Sequence, residues 1–319
     1  MVSVNLLAQE IVEDMIDYSE ELQVEVIQME NGACMIDAGV NAEGSILAGE
    51  YVTEICLGGL GSANVASAQY GDLTLPVIHV STNYPAISTL GAQFAGWRIT
   101  DENGKYVGMG SGPARALALK PKKLYEKIDY KDEAEVAVLF LESNKLPKDN
   151  VAKIVADACG VDPSNVYIIV APTNSIVGAI QISGRIVETG IHKISEVGLD
   201  PKKIKYANGV APIAPIHPDP TIAMGRTNDM IIFAGHVNLF VEVDSDDELK
   251  SYVEKTPSST SKSYGKPFYE TFKEANFDFY QIDAGIFAPA SIFVNNIKTG
   301  NSFRAGQINI NLLKKTMGI

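Results

Sequence analysis

The chain has 319 residues, 46% hydrophobic and 20% charged, an ordinary balance for a globular enzyme of one large domain or two. Its 26 basic and 39 acidic residues leave a net charge of 26 − 39 = −13. That excludes phosphate-backbone binding, which needs clustered Lys and Arg, so no nucleic-acid partner is expected.

No apolar run approaches the roughly 20 residues that span a bilayer, so no membrane association is expected. The stretch after Met1 is acidic and amphipathic, unlike a signal peptide. Cys34, Cys56 and Cys159 lie far apart with no paired motif. They fit a reduced, cytoplasmic compartment and no zinc site.

Residues 3–22 read as an amphipathic helix with Val4, Leu7, Ile11 and Met15 on one side. Val24–Met29 and Ala33–Ala38 read as strands around the Asn31-Gly32 turn. This opening suggests α+β packing, mixed with α/β character, and not a regular βαβ repeat. Gly58, Gly59 and Gly61, followed by Ser62, form a loop whose bare amides can face an anion or close a tight turn. The loop also resembles the phosphate loop of small-molecule kinases, although the chain has no Gly-x-x-x-x-Gly-Lys-Ser/Thr motif. Leu75–Val80 is strand-like and leads to Asn83-Tyr84-Pro85 and then to Thr89–Arg98, which contains Phe94 and the single Trp97.

Asn103-Gly104 is a second turn signal. Gly108-Met-Gly110-Ser111-Gly-Pro113-Ala-Arg115 follows, with Pro113 suited to a first helical turn. Glycine amides and Arg115 at that end make a second candidate anion cradle. Lys120–Tyr130 is lysine-rich and solvated; Asp132–Asn144 and Asp149–Cys159 read as helices. Ala211–Pro220 holds four prolines and is a candidate crossing between domains; His217 and Asp219 within it are a poor metal site. Asn228–Val243 holds two strand-like runs around Gly235-His236. Asp244–Glu248 starts a helix, Pro257–Ser263 reads as a mobile loop, and an aromatic segment runs from Tyr264 through Tyr280.

Asn174–Gly198 carries the densest chemistry and reads as one long helix after the strand Tyr167–Val170. Asn174 or Ser175 can cap its start. Gln181, Arg185, Glu188 and His192 are spaced by four, three and four, which places them in one row. Arg185 and Glu188 alone are compatible with a solvated pair worth a few tenths of a kcal/mol. Gly178, Gly184 and Gly190 each cost roughly 1 kcal/mol against Ala, and suggest close approach by another backbone or a ligand. In a site, Glu188 would act as general base on water, and Arg185 would orient it.

Four stretches together resemble the methenyltetrahydromethanopterin cyclohydrolases of archaea. They are Gly58-Gly-Leu-Gly61; Asn83-Tyr-Pro85 through Gly96-Trp-Arg98; Gly184-Arg185-Ile-Val-Glu188-Thr189; and Tyr264-Gly-Lys-Pro-Phe-Tyr269 with Asp278-Phe-Tyr280 and Ile282-Asp283. The match runs essentially the full length in order, with no departure in the Arg-x-x-Glu element. The resemblance implies two α+β domains with a substrate cleft between them and assembly as a homotrimer. We place the domains at residues 1–127 plus 285–319 and at 128–284. It implies reversible hydrolysis of a methenyl bridge in a reduced pterin to the N5-formyl compound, with no metal or redox cofactor. The family's catalytic Arg and Glu, three apart, land on Arg185 and Glu188. Gly59, Gly61, Ser62, Asn83, Phe94, Gly110, Ser111, Arg115 and Gln181 are candidate substrate contacts. The rivals are a small-molecule kinase using Gly58–Asn64 and a non-catalytic pterin-binding protein.

Overall fold

The computed structural model describes residues 2–101, 104, 106–278 and 281–319. Met1, Asn103 of the second turn signal, and Phe279 and Tyr280 of the aromatic segment lie outside the described residues. In chain order the strands are β1 (Glu25–Gln28), β2 (Cys34–Asp37), β3 (Gly61–Tyr70), β4 (Leu73–Thr82), β5 (Trp97–Thr100), β6 (Val107–Ser111), β7 (Ala137–Glu142), β8 (Val166–Ala171), β9 (Ile204–Pro212), β10 (His236–Val241), β11 (Ser291–Asn296) and β12 (Ser302–Gly306). The α-helices are α1 (Val4–Asp17), α2 (Ser19–Leu22), α3 (Ile46–Cys56), α4 (Ala114–Ala118), α5 (Lys122–Ile128), α6 (Asp149–Cys159), α7 (Ile176–Ser183), α8 (Ile186–Glu196), α9 (Pro220–Ala234), α10 (Asp246–Glu254), α11 (Phe268–Glu274) and α12 (Ile310–Met317). A π-helical segment covers Ala86–Gln93. The fold is α+β with two domains, each built on a mixed six-stranded sheet.

The first compact unit is residues 1–62 with 87–181; the second is 63–86 with 182–319. These limits differ from the 127/128 and 284/285 boundaries expected from sequence. The reason is pairing: β4 bonds to β9, so the β3–β4 segment joins the second sheet. The proline-rich stretch 211–220 lies wholly within the second unit instead of crossing between units.

In the first unit the strand order is β1-β2-β8-β7-β6-β5, with β2, β8 and β7 mutually parallel. Val138, Phe140 and Ile169 face α1 and α3, where Val12, Met15, Val52 and Ile55 bury against them. Leu139, Leu141, Ile168 and Val170 face α6 and Trp97 on the other side. A strand covered on both faces is apolar at every position. That is why Asp132–Asn144, read as a helix, is in fact the central strand β7, buried at every residue from Ala137 to Leu141. Short apolar runs carry no period that separates the two states.

In the second unit the order is β12-β11-β10-β9-β4-β3. The first of the two runs in Asn228–Val243 is helical, as the end of α9. Asp219 accepts from Thr221 N and Ile222 N and so caps that helix, with Pro220 at its first position. The segment Pro257–Ser263, expected to be a mobile loop, is tied down. Ser258 is buried and donates to Ile232 O at 2.6 Å, and Ser261 donates to Asp283 Oδ2 at 2.7 Å.

Asp229 links three helices in this unit. Its carboxyl accepts from Phe268 N at 2.9 Å and 3.1 Å, at the start of α11, and from Thr316 Oγ1 of α12 at 2.5 Å. Burial pushes its pKa up to about 7, outweighing those two hydrogen bonds, and Glu270 adds to the rise. The folded state therefore holds a proton that the unfolded chain has released, between the unfolded value near 4 and pH 7. Stability from this group is present below that window and is lost as pH rises through it. Asp229→Asn keeps the shape and removes the charge. The variant should be more stable than wild type at pH 8 by a few kcal/mol, because each pH unit across that window is worth about 1.4 kcal/mol, and little changed at pH 4. Melting temperatures of both proteins from pH 4 to 8 check this; parallel curves would refute it.

Candidate active site

The segment expected as one helix from Asn174 to Gly198 is two. Ser175 supplies the cap, its Oγ accepting from Gly178 N at 3.0 Å and donating to Pro172 O at 2.8 Å. Helix α7 then ends at Ser183, and α8 begins at Ile186. Between them stands a Ser-Gly pair, a common cause of sharp helix breaks. Ser183 Oγ donates to Pro212 O at 2.7 Å and fixes the turn on β9. Sequence reasoning missed this positioning role; the Ser183-Gly184 pair was the signal for it.

The break changes where the charged pair sits. Arg185 is the residue before α8, with φ −80° and ψ 4°, and its carbonyl accepts from Thr189 N. Glu188 lies in the first turn of α8, where unpaired amides and the helix dipole favour a negative group. Gln181 remains on α7, so the expected four-residue row does not exist as one helical face. Arg185 is 9% exposed and Glu188 7%. Charged residues are rarely so buried unless engaged, which excludes a solvated surface pair.

The strands beneath hold this turn closely. A Cβ at Gly209 would lie 3.2 Å from Ile186, and one at Gly235 would lie 2.6 Å from it. A Cβ at Gly190 would lie 2.7 Å from Val237 of β10. Bare backbone on both sides lets α8 approach the sheet and seats fully buried Ile186, between Arg185 and Glu188. Gly178 similarly admits the Pro172 carbonyl, which a Cβ would meet at 2.0 Å. Two of the three helix glycines thus serve protein packing and not a ligand.

The remaining candidates are distributed as follows. Gly58 and Gly59 form the C-terminal turn of α3, with φ of +70° and +66°. Their amides donate to Ile55 O and Glu54 O, so they close a helix and do not cradle an anion. Gly61 and Ser62 open β3. Asn83 is exposed just after β4, and Gln181 is buried. Gly110 lies in β6, with Trp97 O only 2.8 Å from where its Cβ would be. Ser111 is buried, 3.7 Å from Cys56 Sγ. Phe94 is half-buried, its ring 5.3 Å from the Arg115 guanidinium. Arg115 is fully buried. It donates through Nε to Lys120 O and through Nη1 to Ala92 O, both at 2.9 Å, and also reaches Leu90 O. It is an internal tie, where an open anion cradle was expected.

Neither Cys34 nor Cys159 presents a nucleophilic thiol. Burial pushes Cys159 up to about 12 and also raises Cys34. His217 accepts from Asp219 N, a loop contact.

The family model described as Cyclohydrolase (MCH) matches residues 3–317. The chain is 52% identical to methenyltetrahydromethanopterin cyclohydrolase of Methanothermobacter marburgensis, covering 100% of both chains. It is 52% identical to the enzyme of that name from Methanocaldococcus jannaschii, over 100% of this chain and 99% of the relative. It is 50% identical to that of Methanococcoides burtonii, over 100% and 99%. The chain belongs to the MCH cyclohydrolase family.

Proposed function

We propose that this cyclohydrolase reversibly hydrolyses N5,N10-methenyl-tetrahydromethanopterin to the N5-formyl compound, as part of one-carbon metabolism in methanogenesis. The observation that carries the reading is identity of about half over the full length to proteins of that name. Burial of Arg185 and Glu188 at the start of one helix supports their roles.

The chemistry suits these two groups. The methenyl carbon lies between two nitrogens that share a positive charge, so it is already electrophilic. Water adds to it while Glu188 accepts a water proton. As the bond from that carbon to N10 then breaks, Glu188 returns its proton to N10 and the adduct's hydroxyl gives up its own proton to solvent, which leaves the N5-formyl group and releases one proton for each cation hydrolysed. Arg185 positions the carboxylate and the water. The cationic bridge makes a Lewis acid or redox cofactor unnecessary to the step. The same reading places the enzyme in the cytoplasm as a homotrimer. Among the described residues no helix is long and apolar enough to cross a membrane, and Cys34 and Cys159 are free thiols.

The test is the methenyl chromophore. Purified protein with the methenyl-pterin and a chelator, and without nucleotide, should bleach the absorbance well above the spontaneous rate. No acceleration, with ATP turned over on a small alcohol, would return the kinase reading.

A further inference from the structure

On one face of the second unit's sheet Val237, Leu239, Ile292 and Val294 are buried, and Gly190 of α8 packs on Val237. The alternate residues of β10 and β11 belong to the other face. There the register sets His236 beside Ser291 and Asn238 beside Asn208. Three neighbouring strands thereby bring four half-buried polar side chains into one series. The hydrogen bonds give that series a direction. Asn238 Nδ2 donates to Asn208 Oδ1 at 2.8 Å, which leaves Asn238 Oδ1 for His236. That oxygen lies 2.9 Å from His236 Nε2, so Nε2 carries the ring proton of the neutral imidazole. Nδ1 is then the acceptor, and Ser291 Oγ donates to it at 2.7 Å. A hydroxyl bonded to an imidazole that a third group orients is the arrangement of an activated nucleophile, and asparagine fills the third place in some hydrolases.

Space and donors adjoin the series. A hollow of about 340 Å³ is lined by Ser291, His236, Phe293, Arg304, Gln307 and Ile308 among others. Gly306, across from Ser291, has φ +75° and would place a Cβ 2.2 Å from Ala290 O, so bare backbone turns the chain there. The amides of Gln307 and Ile308, which follow that turn, bond to no group among the described residues. Amides of this kind stabilise the oxyanion of acyl transfer. Exposed Arg304 brings a positive charge to the hollow and suits a substrate with an anionic group.

We propose that Ser291, His236 and Asn238 form a second hydrolytic centre, for small esters that carry an anionic group. Ser291 Oγ bonds to the ester carbonyl carbon while its proton passes to His236 Nδ1. The bond from that carbon to the alcohol oxygen breaks, and the alkoxide leaves with the proton. Water then attacks the acyl carbon and gives a proton to Nδ1. Ser291 Oγ leaves the carbon and takes that proton back, and the carboxylic acid is released. Helix α8, which carries Glu188, packs on the opposite face of this sheet, so the centre works without Glu188.

The full chain tests this with 4-nitrophenyl acetate and mono-4-nitrophenyl succinate, followed by release of 4-nitrophenolate. Wild type should cleave both above the blank rate, with kcat/KM roughly tenfold higher for the anionic succinate, the worth of one charged hydrogen bond. Ser291→Ala should return both esters to the blank rate, and Arg304→Ala should remove the preference, each with unchanged far-UV circular dichroism. Diisopropyl fluorophosphate should phosphorylate Ser291 with loss of fluoride, read by peptide mass. If Ser291→Ala misfolds, that adduct in wild type decides. Wild type at the blank rate, a folded Ser291→Ala as fast as wild type, or no adduct on Ser291 would overturn the centre. Equal kcat/KM for the two esters in wild type would overturn the anionic substrate class.

Discussion

Glu188→Gln should fold as wild type does, bind the pterin and lose nearly all turnover. The amide matches the carboxylate in shape but takes no proton from water, and a positioned general base is worth about 10²–10⁴ in rate. Glu188 sits in the first turn of α8, and its neighbours have no room to move: Val187 and Ile186 are fully buried. The isosteric change therefore leaves packing alone. The measurement is turnover from loss of the methenyl absorbance, with pterin binding followed separately. A variant retaining a tenth of wild-type turnover would remove Glu188 from the chemistry.

Arg115→Ala should fail in the opposite way, through stability. The guanidinium holds the carbonyls of Lys120, Ala92 and Leu90 and packs against the rings of Phe94 and Tyr125. Truncation leaves buried carbonyls without that donor and opens a cavity, at a cost on the order of 3–5 kcal/mol. That is a large share of the about 5–15 kcal/mol that keeps a domain folded. A large drop in the urea midpoint is the expected result. An unchanged midpoint with a raised Michaelis constant for the pterin would restore Arg115 as an anion contact.

Arg115 also shows which information a sequence carries. Glycine amides, Pro113 and an arginine are a local pattern, and the pattern fits an anion cradle. What decides the outcome is the π-helical segment 86–93, whose carbonyls meet the guanidinium from more than twenty residues away. Local signals are legible where the structure uses them locally. The Ser175 cap, the strand β8 and the helix α6 follow from capping and periodicity. Strand β7 looks helical in sequence because burial on both faces erases its period. The start of α8 is hidden because the favourable spacing of Gln181, Arg185, Glu188 and His192 masks the Ser183-Gly184 break. The Arg-x-x-Glu element itself is legible, and its placement on a helix start is not.

The exchange of segments between the two units has a consequence for synthesis on the ribosome. β4 ends at Thr82, and its partner β9 begins at Ile204, so 204 − 82 − 1 = 121 residues lie between them. At about 5–20 residues per second, roughly 6–24 s pass before the partner is made. For that time the edge of β4 that β9 will cover is unmatched, and β4, from Leu73 to Thr82, contains no Asp, Glu, Lys or Arg to discourage stray pairing. The first unit, complete at residue 181, can fold during the wait; the second must hold its earliest strands in reserve. Nascent-chain shielding of residues 61–82 is thus a condition of the fold's vectorial assembly.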